Sequence, residues 1–405
     1  MPHPPHATDD SGTGQPTLDR EMMKPSNADL AIVASKWSHF EPDTTRSFFG
    51  FAPLRPYLIE TAYGHALAQK HKDNRFWAED ILASTMLRGR RIRHILSLCC
   101  GFGEVERRVA SRLPSVETCH GVDLAPGALD EARTRAAAQG LTGFTYECAD
   151  LNRYAWPEAA YDLIIANGAL HHLAALEQVL EGIARALRLG GVVYANEHVG
   201  ASRLDHSPRQ MELINAAAYL VPPELRLRQP LPFSNSRSVP QFINRLYRLS
   251  LARGSLSAGA RGGALTGVAR AIFGPTPFHF GALYRSQAAK LARSDPSESI
   301  RSDEILHLFR ARFPRAQIRA YGGGILAYAL DDRFYEAYDE ANPRHRGVLD
   351  LLCALERELM ASGELGPEHA ILTATKGPER AARGGTSRNY AAGPQARHDR
   401  TRRRR

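Results

Sequence analysis

The chain has 405 residues, 43% hydrophobic and 23% charged, with a formal net charge of +9; that is length for two or three domains and apolar material for a large core. No apolar run approaches the ~20 residues of a membrane-spanning helix, and the opening MPHPPHATDDSG lacks the basic start and apolar stretch of a secretory leader. Five cysteines (Cys99, Cys100, Cys119, Cys148, Cys353) without a CxxC pair argue against a disulfide scaffold or a cysteine-rich zinc site, and for a reducing cytoplasm.

The basicity is local. Nine arginines against Glu379 and Asp399 in residues 377–405 hold seven of the nine excess charges, so the body is nearly neutral. This tail is expected to be disordered, and nucleic acid is not expected as a partner beyond weak, salt-sensitive contact.

Residues 1–28, rich in Pro, His, Asp, Gly and Ser, are expected to be disordered. Residues 29–93 alternate aromatic and aliphatic clusters with helix-forming stretches and predict a cap of short helices. From 94 the pattern becomes strand, turn, helix, repeated. HILSLCC (94–100) is a strand, and Val105, Val109 and Leu113 then share one helix face. VETCHGVDL (116–124), FTYECADL (144–151), YDLIIANGAL (161–170) and VVYANEHV (192–199) are further strands. Pro126 suits the start of the helix after the second strand and Gly140 its stop. An apolar stripe of Leu176, Val179, Leu180, Ile183 and Leu187 predicts a helix that closes at Gly190-Gly191. Such alternation implies right-handed crossovers and a parallel sheet covered on both faces.

After residue 200 the rhythm breaks. Ser207-Pro208-Arg209-Gln210 reads as a capping-box helix start, and seven glycines in 253–283 predict a mobile loop. Residues 201–300 are thus expected to be a helical and loop insertion over the carboxyl ends of the strands. A helix after Ser302, a strand QIRAY (317–321), a helix near 346–362 and a strand HAILTATK (369–376) would complete the sheet with an antiparallel edge over 301–376.

In an open parallel sheet the ligand site lies beyond the carboxyl ends of the strands. After the first strand stand Cys99-Cys100-Gly101-Phe102-Gly103-Glu104, a tight turn in which a ligand can approach the backbone. The third glycine of a dinucleotide fingerprint would fall at Glu106, which disfavours a pyrophosphate. After the second strand stands Asp123, suited to both hydroxyls of a ribose or to capping a helix. Asp150 follows the third strand, and Asn167-Gly168-Ala169-Leu170-His171-His172 the fourth.

Together these residues resemble the class I S-adenosylmethionine-dependent methyltransferases. The family's first motif reads here Ser97-Leu98-Cys99-Cys100-Gly101-Phe102-Gly103, with Ser97 in place of its acid and Cys99 in place of its first glycine. The resemblance covers roughly residues 92–200. It implies a Rossmann-like, mostly parallel seven-stranded sheet flanked by helices, with the N-terminal helices and the insertion forming a lid over a core at 94–200. It also implies S-adenosyl-L-methionine as cofactor, held by Ser97, Cys99, Gly101, Gly103, Glu104, Asp123, Leu124, Asp150, Leu151 and Asn167. Glu104 is the candidate to replace the acid absent at Ser97. Looser likeness at Glu197-His198-Val199-Gly200, Pro222-Pro223-Glu224-Leu225-Arg226 and Tyr321-Gly322-Gly323 is to bacterial methyltransferases of glycan and natural-product pathways.

The implied function is methyl transfer to a small-molecule or glycan acceptor, O-methylation foremost, within a biosynthetic pathway. Candidate bases at the strand ends are His171, His172, Glu197 and His198. No cluster of acidic metal ligands stands out, and no metal is expected. Tyr57, Tyr63 and the helix from Ser207 are the expected walls of the acceptor pocket. The alternatives are a catalytically silent nucleoside-binding scaffold and a nicotinamide-dependent oxidoreductase.

Overall fold

The structure, a computed structural model, describes residues 26–39, 47–227, 229–230, 278–279 and 284–378. The disorder expected before Ser26 and after Pro378, and the glycine-rich loop apart from Phe278–His279, lie outside the described residues. Among the described residues no helix is long and apolar enough to cross a membrane.

Seven strands form the central sheet: β1 (His94–Leu98), β2 (Thr118–Asp123), β3 (Phe144–Cys148), β4 (Tyr161–Asn167), β5 (Leu187–His198), β6 (Gln317–Tyr321) and β7 (His369–Thr375). Their order across the sheet is β3-β2-β1-β4-β5-β7-β6. The first five run parallel, whereas β7 is antiparallel to both β5 and β6. The antiparallel edge read from the late helix–strand alternation is therefore present. Strand order reverses between β1 and β4, so the crevice of this sheet opens where those two strands end.

Side chains alternate between two cores, as the two-residue period of a strand dictates. Ile95, Leu163, Ile165, Val192, Tyr194 and Ile371 enter one core; Leu96, Leu98, Ile164, Ala166, Val193, Ala195 and Leu372 enter the other. The first core is covered by α2 (Arg55–Tyr63), α3 (His65–His71) and α4 (Trp77–Ser84), together with α11 (Leu326–Ala329), α12 (Asp332–Ala337) and α13 (Pro343–Ala361). The second is covered by α7 (Leu176–Ala186) and by α10 (Ile305–Arg312), which follows the short α9 (Ala288–Ser294).

Between the strands run α5 (Glu104–Arg112) and α6 (Pro126–Ala138). Pro126 opens α6, and Gly140 follows its end with φ 68°, as their types suggest. The stripe of α7 closes earlier than expected: the helix ends at Ala186, and Leu187–Gly191 already belong to β5. Gly190, with φ 81°, donates to Lys376 O at 2.8 Å, which ties this stretch to the end of β7.

Helix α1 (Asn27–His39) begins within the stretch expected to be disordered. Ser26 Oγ accepts the Asp29 N–H at 3.2 Å, and Asp29 Oδ2 accepts the Ser26 N–H at 2.9 Å. This reciprocal cap is a local signal that the polar composition of residues 1–28 masked. The Gly127 N–H on α6 donates to Ser38 Oγ at 3.2 Å, tying α1 over the end of the sheet. Helix α8 (Pro208–Leu220) starts as read, with Ser207 Oγ accepting the Gln210 N–H at 3.1 Å.

Candidate active site

The loop after β1 turns through three positive φ angles: Cys99 at 46°, Gly101 at 51° and Gly103 at 70°. A Cβ built on Gly101 meets nothing within 4 Å, so this backbone borders open space. One on Gly103 would strike Arg107, Glu106 and Tyr146 at 2.7–2.8 Å. A glycine at 103 is thus required by the close packing of α5 side chains and of Tyr146 from β3.

Asp123 at the end of β2 clamps the loop. Its Oδ2 accepts the Gly101 N–H at 2.8 Å and its Oδ1 the Ala125 N–H at 2.9 Å. Each oxygen keeps a further lone pair, and the residue lines a cavity of about 240 Å³ with Cys99, Gly101, Leu124, Asp150 and Leu151. Burial raises the Asp123 carboxyl, against the lowering effect of the backbone N–H groups it accepts. Leu30, Val33 and Trp37 of α1 form the opposite wall. Asp150 Oδ1 accepts from both nitrogens of Asn152, at 2.9 and 2.8 Å.

A smaller cavity of about 170 Å³ adjoins it, lined by Ser97, Cys99, Phe102, Glu104, Glu106 and Asn167 among others. Two acids border this compartment beside Ser97. Glu104 is half exposed and 3.6 Å from Arg75. The buried acid is Glu106, in the first turn of α5, and its Oε2 accepts the Ser97 hydroxyl at 3.1 Å. Burial pushes the Glu106 carboxyl up to about 7. Asn167 Oδ1 is buried without a hydrogen-bond partner among the described residues. The Cys99 and Cys100 thiols are pushed well up by burial and nearby carboxylates, so they stay protonated.

Beyond Asn167 and Gly168 lies a third cavity of about 470 Å³. Glu197 and His171 border it but are already engaged. Glu197 accepts the N–H groups of Ala169 and Leu170 at 2.9 Å, and its Oε2 accepts His171 Nδ1–H at 2.8 Å. It anchors the turn after β4 and is no free base. Burial lowers the His198 imidazole to about 2, with the His369 and His171 charges adding to the effect. Burial thus weighs against His198 as a proton acceptor. For His171, burial lowers the imidazole pKa, but the Glu197 hydrogen bond and the Glu298 charge outweigh it and raise the net value. His172 is lowered by burial and by the His171 charge, and it faces the first cavity.

The walls of the large cavity are not those expected. Tyr57 is sealed in the core, its hydroxyl donating to Glu356 at 2.7 Å, and Tyr63 packs against the same core. Phe49, Arg75, Trp77 and Glu79 from the N-terminal part, and Tyr321, Tyr328 and His369 from the C-terminal part, take their place. Helix α8 contributes no lining residue. The segment 295–300 lies over the strand ends: the Ile300 N–H donates to His171 O at 2.9 Å, and Glu298 and Ser299 line the cavity. Glu106 and Glu298 were missed by sequence reasoning. Glu106 sits where a charged residue in a first helical turn reads as solvated, and Glu298 is distant in sequence from the turn it faces.

A family profile described as a methyltransferase domain matches residues 95–191. The chain is 27% identical to ajmaline N-methyltransferase of Rauvolfia serpentina over 122 residues, 30% of this chain and 40% of that protein. It is 29% identical to the aklanonic acid methyltransferase DauC of a Streptomyces species over 97 residues, 24% of this chain and 44% of that protein. The match thus spans less than half the length of either relative. Among solved structures, an S-adenosylmethionine-dependent methyltransferase from Mesorhizobium loti is 29% identical over 33% of this chain and 57% of that one, with a TM-score of 0.27. Residues 95–191 are thus similar to a methyltransferase domain, and the relatives that share this stretch are methyltransferases.

Proposed function

We propose that the protein moves a methyl group from S-adenosylmethionine to a small-molecule or glycan acceptor in the 470 Å³ cavity, with an oxygen as the methylated atom. The observation that carries this reading is the shared wall at the end of β4. Gly168 borders both the 240 Å³ and the 470 Å³ cavities, and Asn167 borders the 170 Å³ and the 470 Å³ cavities. A molecule filling the first two compartments would present its middle to the third.

The residues suit the cofactor part by part. Asp123, with a spare lone pair on each oxygen, would hold the ribose hydroxyls, while Asp150, Leu124 and Leu151 border the base. Ser97, Cys99, Glu106 and Asn167 surround the compartment left for the methionine end, where an ammonium would favour the ionised form of Glu106 and pair with the unpartnered Asn167 Oδ1. When bound, the sulfonium supplies a methyl group open to in-line displacement. The protein's contribution is then orientation and exclusion of water. His171, with Nδ1–H held by Glu197, turns its Nε2 lone pair toward the cavity and is the group fit to receive a proton from an acceptor.

Two relatives, named as methyltransferases for ajmaline and aklanonic acid, support a small organic acceptor over nucleic acid. Free cysteines with raised pKa values support a reducing cytoplasm as the site of action. A nicotinamide reading is disfavoured by Glu106, since a buried carboxyl under the loop opposes a pyrophosphate. The test is incubation of the purified protein with cofactor and fractionated small molecules from its source cells, followed by mass spectrometry. Products heavier by one methylene and absent without cofactor are expected; their absence from every fraction, although cofactor is bound, would favour the silent scaffold.

A further inference from the structure

His171, His172 and Glu298 meet at the seam between the nucleoside-sized and the large cavities. His171 Nε2 lies 3.6 Å from Glu298 Oε1, His172 Nε2 lies 4.0 Å from Glu298 Oε2, and donor atoms of all three lie within 4.8 Å of one another. Two hydrogen-bond chains fix the imidazole tautomers. Glu197 Oε2 accepts His171 Nδ1–H at 2.8 Å. Ser297 Oγ donates its only proton to Asp295 Oδ1 at 2.8 Å, so at the 3.0 Å contact with His172 Nδ1 it must accept. In their neutral forms both rings therefore turn an Nε2 lone pair toward a carboxylate, and no hydrogen bond joins the three groups.

The surroundings are acidic and rigid. Glu197 and Asp295 are fully buried behind the two histidines, and the Lys36 ammonium is spent on Asp295 at 2.9 Å. Arg203 reaches the backbone oxygens of Pro296 and Glu298 rather than the Glu298 carboxylate. Trp37 Nε1 donates to Asp295 Oδ2 at 3.0 Å, so α1 and the 295–300 segment are locked together beside the seam. Two donors on one first-row ion, each about 2.1 Å away, stand up to about 4.2 Å apart, so the two histidine–glutamate distances already fit and the widest needs a small swing. Carboxylate or hydroxyl partners on the far nitrogen of each ring are the outer-shell arrangement of metal-bound histidine.

We propose that His171 Nε2, His172 Nε2 and the Glu298 carboxylate bind one divalent first-row transition ion. Two imidazoles and one carboxylate leave coordination positions open toward the large cavity. The consequence for function rests on the methyltransferase reading: an ion there would hold an acceptor oxygen at the seam and lower its pKa, taking over from a proton-accepting His171. The ion itself is read from the donor set alone.

The test uses cobalt(II) as probe on the chelator-stripped full chain, read by ligand-field absorption and by metal content after gel filtration. One cobalt per chain at this site is expected. Glu298→Gln and His171→Asn should each weaken binding at least tenfold, and Ser297→Ala, which removes the partner of His172 Nδ1 together with the hydrogen bond to Asp295, about 10- to 100-fold. Circular dichroism confirms that each variant is folded, and histidines elsewhere, His3 and His6 included, serve as the background that these variants leave untouched. Absence of bound cobalt in the folded parent, or cobalt binding unchanged in all three variants, overturns the proposal. Calorimetry with S-adenosylhomocysteine runs in parallel: nucleoside binding without cobalt rejects the ion and spares the methyltransferase reading, and cobalt binding without nucleoside does the reverse.

Discussion

Replacing Glu106 by glutamine should stabilise the protein at pH 8 and flatten part of its dependence on pH. The carboxyl is fully buried, its Oε2 accepts the Ser97 hydroxyl, and burial moves it from an ordinary 4.5 to about 7. Between those values the folded chain keeps a proton that the unfolded chain releases. Stability contributed by this group is therefore complete below pH 4.5, falls as pH rises, and is lost above about 7. At about 1.4 kcal/mol for each tenfold change in proton affinity, the loss approaches roughly 3 kcal/mol at pH 8. Glutamine keeps the acceptor for Ser97 and has no proton to lose. Urea unfolding of parent and Glu106→Gln at pH 5 and pH 8 measures the difference directly. Glu79 and Glu368, also raised to about 7 by burial, are common to both proteins and cancel. A stability gap between parent and variant that is equal at the two pH values would refute the reasoning.

Two further substitutions test the supports of the site. Cys99 holds φ 46°, a conformation that favours glycine, so Cys99→Gly should be more stable than Cys99→Ala by about 1 kcal/mol in thermal unfolding; an alanine variant as stable as the glycine one contradicts the strain. Arg301, 5% exposed, binds Glu177 and Glu304 bidentately and caps Ala174 O at 2.7 Å. Arg301→Met should cost about 3 kcal/mol in denaturant unfolding and loosen the segment that carries Glu298, and a cost below about 1 kcal/mol would mark the cluster as an ordinary surface network.

What the sequence revealed followed the range of the forces involved. Strand alternation is local, and Ile95 against Leu96, or Val192 against Val193, already sorts the two faces of the sheet. The strand-end residues Asp123, Asp150 and Asn167 were legible because parallel topology gathers strand ends regardless of detail. Residue types alone could not show which acid lies under the Gly loop: Glu104 and Glu106 differ by half a helical turn, and only packing against Ser97 and Tyr146 buries the second. Glu197 and His198 read as bases because they end a strand. Three neighbouring N–H groups and deep burial, both products of the folded turn, give them other work. Tyr57 was misplaced for the same reason, since its partner Glu356 comes from a helix near the far end of the chain.

The central claim, that the crevice at the ends of β1, β2 and β4 holds S-adenosylmethionine through Asp123, is tested most directly by isothermal calorimetry on the parent and on Asp123→Ala. Both Asp123 oxygens carry one backbone N–H and have room for one ribose hydroxyl. The account predicts that the parent binds the cofactor and that the variant, still folded, binds it roughly ten- to a hundredfold more weakly. Equal affinity in the two proteins, or no binding by the parent, would contradict it.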